Sequence, residues 1–362
     1  MLCSFINHSF TATDLLKYDS LATVPFENPL PAPSTLDNQS RDLFASPSNS
    51  PLEPKAPEEW DGAILSAISE VTTRYRPLAK IGTGASADVF RALDTQFNRH
   101  VALKRFNQET IDSTPAESDY LSEVDAISKI CHPNVVRAYD VDDDEDGPFI
   151  IFELIEGTDL EQKLRNRPLD NDEVRHFLIQ ALEALVAVHQ QGISHLDLKP
   201  ANFMATSSAN GIPHYTLIDF GRSCDAQREQ KRREQKDKNS LRGSIHYMAP
   251  EQFTNGVLDA RTDLYALGAM AYEFLTGEKP FDGDNTVQVM AAHLTGRVKP
   301  IGELLPDLPA GMDSWIMALI ASNPEARPQS AKEALRAFSS LSTLQFSSLD
   351  FTEPFPALEK TA

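Results

Sequence analysis

The sequence predicts an α+β fold of two unequal lobes, a small β-rich one followed by a larger helical one. Three observations point there. Residues 77–106 read as strand, glycine turn, strand and strand, closing on "HVALKRF". A helical stretch at 115–130 then leads to two more strand-like runs, "NVVRAYDV" and "PFIIFELI", separated by the acidic turn "DDDEDG". Beyond "IEGTDL" the period changes. Val174, Phe177, Leu178, Ala181, Leu182 and Leu185 recur at helical spacing, the apolar stripe of a long helix starting near Asp170. Further helical patterns cover about 259–276, 284–294, 311–322 and 329–340.

The flanks differ from this body. Residues 1–57 are rich in Ser, Pro, Asn and Thr, as in "NPLPAPSTLDNQS", and hold too little apolar surface to offset chain entropy, so disorder is expected. Such a tail is either passive or a docking segment for a regulatory partner. "WDGAILSAISEVTTRY" places a lead-in helix within 58–74, before a small lobe at 75–153 and a large one at 158–340, and residues 341–362 read as a second tail. The formal net charge of −20 over 362 residues argues against broad attraction to nucleic acid or to anionic membrane. Three scattered cysteines without CxxC spacing suit a reduced compartment, and no apolar run approaches the roughly 18 residues of a bilayer span. The expected setting is therefore soluble and cytoplasmic. The acidic turn lacks the spacing of an EF-hand, so a calcium site is not expected there.

Chemistry concentrates in four stretches. "IGTGASADVF" sets Ile81, Gly82 and Gly84 before a returning strand with Val89, a backbone able to approach phosphate oxygens while Val89 covers a flat base. Ala87 stands where a third glycine would loosen the loop. "VALK" supplies Ala102 and Lys104, and Glu123 of "YLSEVDAISKICHPNVV" is a carboxylate able to orient that lysine, or else an exposed helix acid. "HLDLKPANF" gathers Asp197, Lys199 and Asn202 within six residues, and "LIDFG" adds Asp219. Phosphoryl transfer asks little covalent work of a protein; it needs charge neutralisation and an aligned nucleophile. Asp197 can accept a hydroxyl proton, Lys199 can steady a γ-phosphate, and Asn202 with Asp219 can hold Mg²⁺.

These motifs together resemble the eukaryotic-type Ser/Thr protein kinases, bacterial branch, over about residues 75–340. The resemblance extends to "GSIHYMAPEQ", "RTDLYALGAMAYEFLTGEKPF" and "NPEARP". It implies a bilobal protein kinase-like fold, ATP and Mg²⁺ (or Mn²⁺) as cofactors, and Ser/Thr hydroxyls of proteins as acceptors. It further implies a hinge from Glu153 to Ile155 that binds adenine, with Phe152 as gatekeeper. Asp263 would anchor the catalytic-loop backbone, Arg327 would pair with Glu251, and Ser244 would lie near Asp197 and Lys199. Many relatives carry a membrane span and sensor domain after the kinase; this sequence shows neither, so sensing is expected from a partner, a tail or a small ligand.

Two departures stand out. Many members have arginine before the catalytic aspartate, where it pairs with a phosphate on the activation loop; Leu196 cannot do so and is expected to be a buried packing residue. Residues 222–243 carry eight Lys or Arg against four Asp or Glu in an otherwise acidic chain. That run is either a solvated face, a dock for acidic substrates, or a clasp for the acidic turn or the tails, and "AQREQKRREQKDKN" has helix-forming composition. Loop control is therefore expected to come from charge contacts or a partner, with Ser223, Ser240 and Ser244 as candidate phosphosites and Arg222 and Arg242 as their nearest cations. The alternatives to an active protein kinase are a pseudokinase scaffold, suggested by Leu196 and Ala87, and a small-molecule phosphotransferase with a similar Asp/Asn loop.

Overall fold

The computed structural model describes residues 74–84, 86–107, 123–124, 126–207, 211–225 and 245–342. The expectations for the N-terminal tail, the lead-in helix, residues 343–362 and most of the basic segment, with Ser240, Arg242 and Ser244, lie outside the described residues.

Five strands form an antiparallel sheet: β1 (Tyr75–Thr83), β2 (Ala87–Asp94), β3 (Arg99–Phe106), β4 (Ala138–Asp144) and β5 (Gly147–Glu153), in the order β1-β2-β3-β5-β4. The two-residue period of a strand sorts its side chains onto two faces. Val101, Leu103, Phe149 and Ile151 join Tyr75 and Ala92 in a small core of their own. Ala87, Phe106, Ile150 and Phe152 join the main core on the other face. The acidic turn is a hairpin tip whose Asp144 is bound by Arg105 of β3, with Nη2 2.7 Å from Oδ2. Asp144 of the acidic turn thus has an arginine within its own lobe.

Strand β4 begins four residues later than the start of the "NVVRAYDV" run. Val136 N–H donates to the Leu217 carbonyl at 2.9 Å, and Leu217 N–H donates to the Asn134 carbonyl at 2.8 Å. Asn134, nearly fully buried, also donates from Nδ2 to the Tyr215 carbonyl at 2.8 Å. Residues 134–136 thus spend their hydrogen bonds on the chain near Leu217 rather than on the sheet, a pairing no local pattern announces.

The second lobe opens with β6 (Thr158–Asp159), α1 (Leu160–Asn166) and α2 (Asn171–Gln190). Asp170 and Glu173 cap α2 reciprocally: Glu173 N–H donates to Asp170 Oδ1 at 2.8 Å, and Asp170 N–H donates to Glu173 Oε2 at 3.1 Å. The six residues of the expected stripe are all buried. Phe177 meets Phe203, Tyr215 and Phe274 edge-on, with ring centroids 4.9, 5.4 and 5.1 Å away. Phe203 and Tyr215 belong to a hairpin the sequence reading left out, β8 (Phe203–Ser207) and β9 (Pro213–Leu217), which follows the two-residue β7 (Ile193–Ser194). After β10 (Cys224–Asp225) come α3 (Pro250–Phe253), α4 (Ala260–Thr276), α5 (Thr286–Thr295), α6 (Ile301–Leu304), α7 (Met312–Leu319) and α8 (Ala331–Ser342). α4 is buried along most of its length, from Thr262 to Tyr272 without a break. No helix among the described residues is long and apolar enough to cross a membrane.

Glu173 ties α1 to α2, accepting from Lys163 Nζ at 2.7 Å and from both terminal nitrogens of Arg167 at 2.6 and 2.8 Å. Burial pushes its carboxyl pKa up, but the arginine, the lysine and the cap outweigh this and pull it from 4.5 down to about 2. A carboxylate with a folded pKa below its unfolded one adds stability above the unfolded value and loses it as pH falls through the folded one. Glu173→Gln should therefore unfold at lower urea concentration at pH 7, and its stability should fall less steeply than that of the wild type between pH 4.5 and about 2.

Candidate active site

Alternation along β3 puts Ala102 and Lys104 on the face opposite Val101 and Leu103. The register then builds a row: Gly82 beside Val89, Val89 beside Lys104, and Lys104 beside Ile150. Ala102 lies next to Phe152, itself buried at the edge of the main core. Gly84 N–H donates to the Ala87 carbonyl at 2.8 Å, and a Cβ at Gly84 would stand only 3.1 Å from that oxygen. Ile81 is exposed.

Lys104 is the meeting point of three segments. Its ammonium donates to Glu123 at 2.6 and 2.8 Å and to Asp219 Oδ1 at 2.8 Å. Glu123, in a helical segment, is fully buried. Burial alone would depress the lysine, but the two carboxylates outweigh it and hold the ammonium above the usual lysine range. Lys104 in turn holds the Asp219 carboxyl far below the usual carboxylate range. Gly221 lies against this cluster, where a Cβ would come within 3.4 Å of carboxylate oxygens of both Asp219 and Glu123.

The loop between β7 and β8 is fixed from beneath by Asp263 of α4, whose side chain is fully buried. Its Oδ2 accepts from His195 N–H and from His189 Nε2, and its Oδ1 from Leu196 N–H, each at 2.8 Å. The His195 ring packs edge-on to Phe220 with centroids 5.0 Å apart. Leu196 and Asp219 both have φ of +64°. That region costs a non-glycine residue of order 1–3 kcal/mol and persists only where neighbours enforce it.

Asp197 follows Leu196. Its Oδ2 accepts from Lys199 Nζ at 2.8 Å, Arg222 Nη1 stands 3.8 Å from its Oδ1, and its carbonyl accepts from Asn202 Nδ2 at 2.7 Å. Since the Asn202 amide nitrogen is spent on that carbonyl, its Oδ1 is the atom left for a cation, and Asp219 likewise keeps Oδ2 while Oδ1 binds Lys104. Two such oxygens are the donors a hard divalent ion prefers. Glu153, Leu154 and Ile155, expected as the hinge, line a cleft of about 450 Å³ with His100, Pro133 and His214, whose walls include none of the charged groups just described.

The sequence profile of the protein kinase domain matches residues 75–338. The chain belongs to the protein kinase family. Similar members include a probable serine/threonine-protein kinase of Clostridium acetobutylicum, 32% identical over 73% of this chain and 39% of its own length. The serine/threonine-protein kinase PrkC of Bacillus subtilis is 30% identical over 73% of this chain and 40% of its own, and the serine/threonine-protein kinase pkn3 of Myxococcus xanthus 33% over 74% and 49%. The chain thus spans about two fifths to one half of the length of these relatives.

In this kinase Leu196 is a buried side chain, 6% exposed. Ser223, expected as a phosphosite, is also buried, at 4%, and so is not open to a modifying enzyme in this conformation. Arg222, expected as a cation for the activation segment, has Nη1 3.8 Å from Asp197 Oδ1. Sequence reasoning missed His189 and Gln252. Gln252 Oε1 accepts from Ala249 N–H at 2.9 Å while its Nε2 donates to the Leu196 carbonyl at 3.0 Å. Neither contact has a local signature, since Gln252 lies 56 residues from Leu196 and His189 lies 74 from Asp263.

Arg327 and Glu251 form a two-pronged buried pair at 2.7 and 2.8 Å, with Thr262 Oγ1 donating to the same carboxylate at 2.9 Å. Removing one partner of a buried pair leaves a desolvated charge, so Arg327→Met should lower unfolding free energy by about 3–5 kcal/mol. Chemical denaturation at pH 7 checks this.

Proposed function

We propose that the chain is an ATP-dependent serine/threonine protein kinase that transfers the γ-phosphoryl group of ATP to Ser or Thr hydroxyls of proteins in a signalling role. The observation that carries this reading is the simultaneous bonding of Lys104 to Glu123 and Asp219, which brings the sheet, the helix and the acidic metal motif to one ammonium. Such a cluster is a poor choice for stability alone, because Glu123 is fully buried and a buried charge costs several kcal/mol before pairing.

Each residue then has a task. Gly82 and Gly84 admit phosphate oxygens close to the backbone, Ile81, Val89 and Ala102 enclose the base, and Glu153 and Ile155 bind its edge through backbone groups. Lys104, held by Glu123, takes the α- and β-phosphates. Asp197 accepts the proton of the attacking hydroxyl as that oxygen bonds to the γ-phosphorus and the bond to the bridging oxygen breaks. Lys199 offsets charge on the transferring group. Asn202 and Asp219 fit Mg²⁺, with Mn²⁺ as a second hard cation the same oxygens accept; the ion supplies neutralisation of the phosphate charge.

The basic stretch at 222–243 favours acceptors in acidic surroundings, and the N-terminal tail is assigned to a regulatory partner. A cytoplasmic setting agrees with the free thiol of Cys131. Activation does not require an arginine in the catalytic loop, because Leu196 is buried there.

Incubating wild type and Asp219→Ala with Mg²⁺ and ATP, then mapping phosphosites, tests the activity. Phosphoserine or phosphothreonine in the wild type alone is expected; equal incorporation in both, or none in either, overturns the reading. The double variant Ser223→Ala, Ser240→Ala should keep most of the wild-type rate in the same assay, and an inactive but folded double variant would show that a phosphate latch operates after all.

A further inference from the structure

The backbone at Leu196 is left-handed at φ +64°, in a residue whose side chain gives no reason for it. No glycine relieves the position and no polar group of the leucine bonds locally. The conformation must therefore be imposed from outside, and both peptide units flanking the residue are gripped. On one side Leu196 N–H donates to Asp263 Oδ1 at 2.8 Å. On the other, the Leu196 carbonyl accepts from Gln252 Nε2 at 3.0 Å. The next residue is Asp197, so the turn at Leu196 aims that carboxylate.

The two grips differ in kind. Asp263 is fully buried on the long helix α4 and also holds His195 and His189, so it is a fixed post. Gln252 sits on α3, a helix of four residues at the end of the activation segment that the resemblance places at Asp219 to Glu251. The two ends of its amide divide their work: Oε1 accepts from Ala249 N–H at 2.9 Å and Nε2 reaches the catalytic loop. Through one side chain the end of the activation segment is tied to the backbone that positions Asp197. The Leu196 side chain is buried, and Tyr247, Met248 and Ala266, themselves buried, line the same small pocket as Leu196 and Gln252.

We propose that Gln252 is a positioning residue: its amide holds the Leu196 carbonyl and so sets the working orientation of Asp197, a neutral latch from activation segment to catalytic loop in a chain that lacks arginine at position 196. The latch needs no phosphate, because both its donor and its acceptor are uncharged and already in contact. It predicts that segment order reaches the catalytic loop through the position of α3, so that whatever moves α3 changes turnover without first changing the nucleotide cleft. The inference rests on the proposed kinase activity of this site.

Gln252→Glu separates the two functions of the side chain. A carboxylate still accepts from Ala249 N–H but has no hydrogen to give the Leu196 carbonyl, whereas Gln252→Ala loses both bonds. Full-length wild type, Gln252→Glu and Gln252→Ala are compared by initial rates of phosphate transfer to the full-length Asp197→Asn chain as acceptor, with Mg-ATP varied, and by thermal unfolding. Both variants should lose roughly tenfold or more in kcat, the rate equivalent of one critical hydrogen bond, with KM for ATP within about twofold of wild type. Thermal midpoints of Gln252→Glu should stay close to wild type. A wild-type kcat in Gln252→Glu overturns the latch while leaving the kinase reading intact. A rise in KM for ATP matching the loss in kcat, or a loss that tracks the unfolded fraction, overturns it as well, because Gln252 would then act on general structure. Wild type that transfers no phosphate removes the kinase reading, and the latch with it.

Discussion

One ammonium group holds the working arrangement together. Lys104 comes from the third strand of the sheet, Glu123 from a helical segment and Asp219 from the chain after β9, and the three meet within hydrogen-bond distance. Like charges on Glu123 and Asp219 would repel across so small a space without the lysine between them. Take the ammonium away and the buried carboxylate of Glu123 is left unpaired beside that of Asp219, with neither its desolvation nor their repulsion offset. The backbone at Gly221 lies against the cluster, where a Cβ would be within van der Waals reach of all three charged groups.

Around that cluster the helical lobe acts as a rigid mount. Asp263 on α4 fixes two consecutive amides of the catalytic loop, and Phe177 on α2 packs the hairpin that leads out of it. Arg327 and Glu251 secure the segment that carries Gln252. The candidate catalytic loop is thus held through its backbone by buried helix side chains, while Asp197 bonds Lys199 and Asp219 bonds Lys104. Precision comes from the buried supports and accessibility from the loops, the division expected where chemistry sits on loops over a rigid scaffold.

The position that departs from the family resemblance gains a physical meaning in this setting. Leucine at 196 contributes no charge to the activation segment, yet its backbone is left-handed and bonded through both its N–H and its carbonyl. Loss of an arginine there removes a way of reading a phosphate. It leaves untouched the means of orienting Asp197, because that work is done by the main chain of the residue and not by its side chain.

Strand alternation in β3, the stripe of α2 and the grouped polar residues of "HLDLKPANF" and "LIDFG" are local patterns, and they determined the two-lobed fold and the residues of the candidate site from the sequence by itself. The side-chain period is set by backbone geometry, and composition chooses the face, so no distant residue is needed to read either. The tertiary structure alone decided the contacts with no local period: the diversion of residues 134–136 to the strand at Leu217, the hairpin of β8 and β9, the burial of Ser223, Arg222 beside Asp197, and the hold of Gln252 on Leu196. Apart from the hairpin, each joins groups far apart along the chain, or fixes burial by what packs above it. Their geometry exists only once the chain has packed around its core, and for that reason the sequence could name Leu196 but not what grips it.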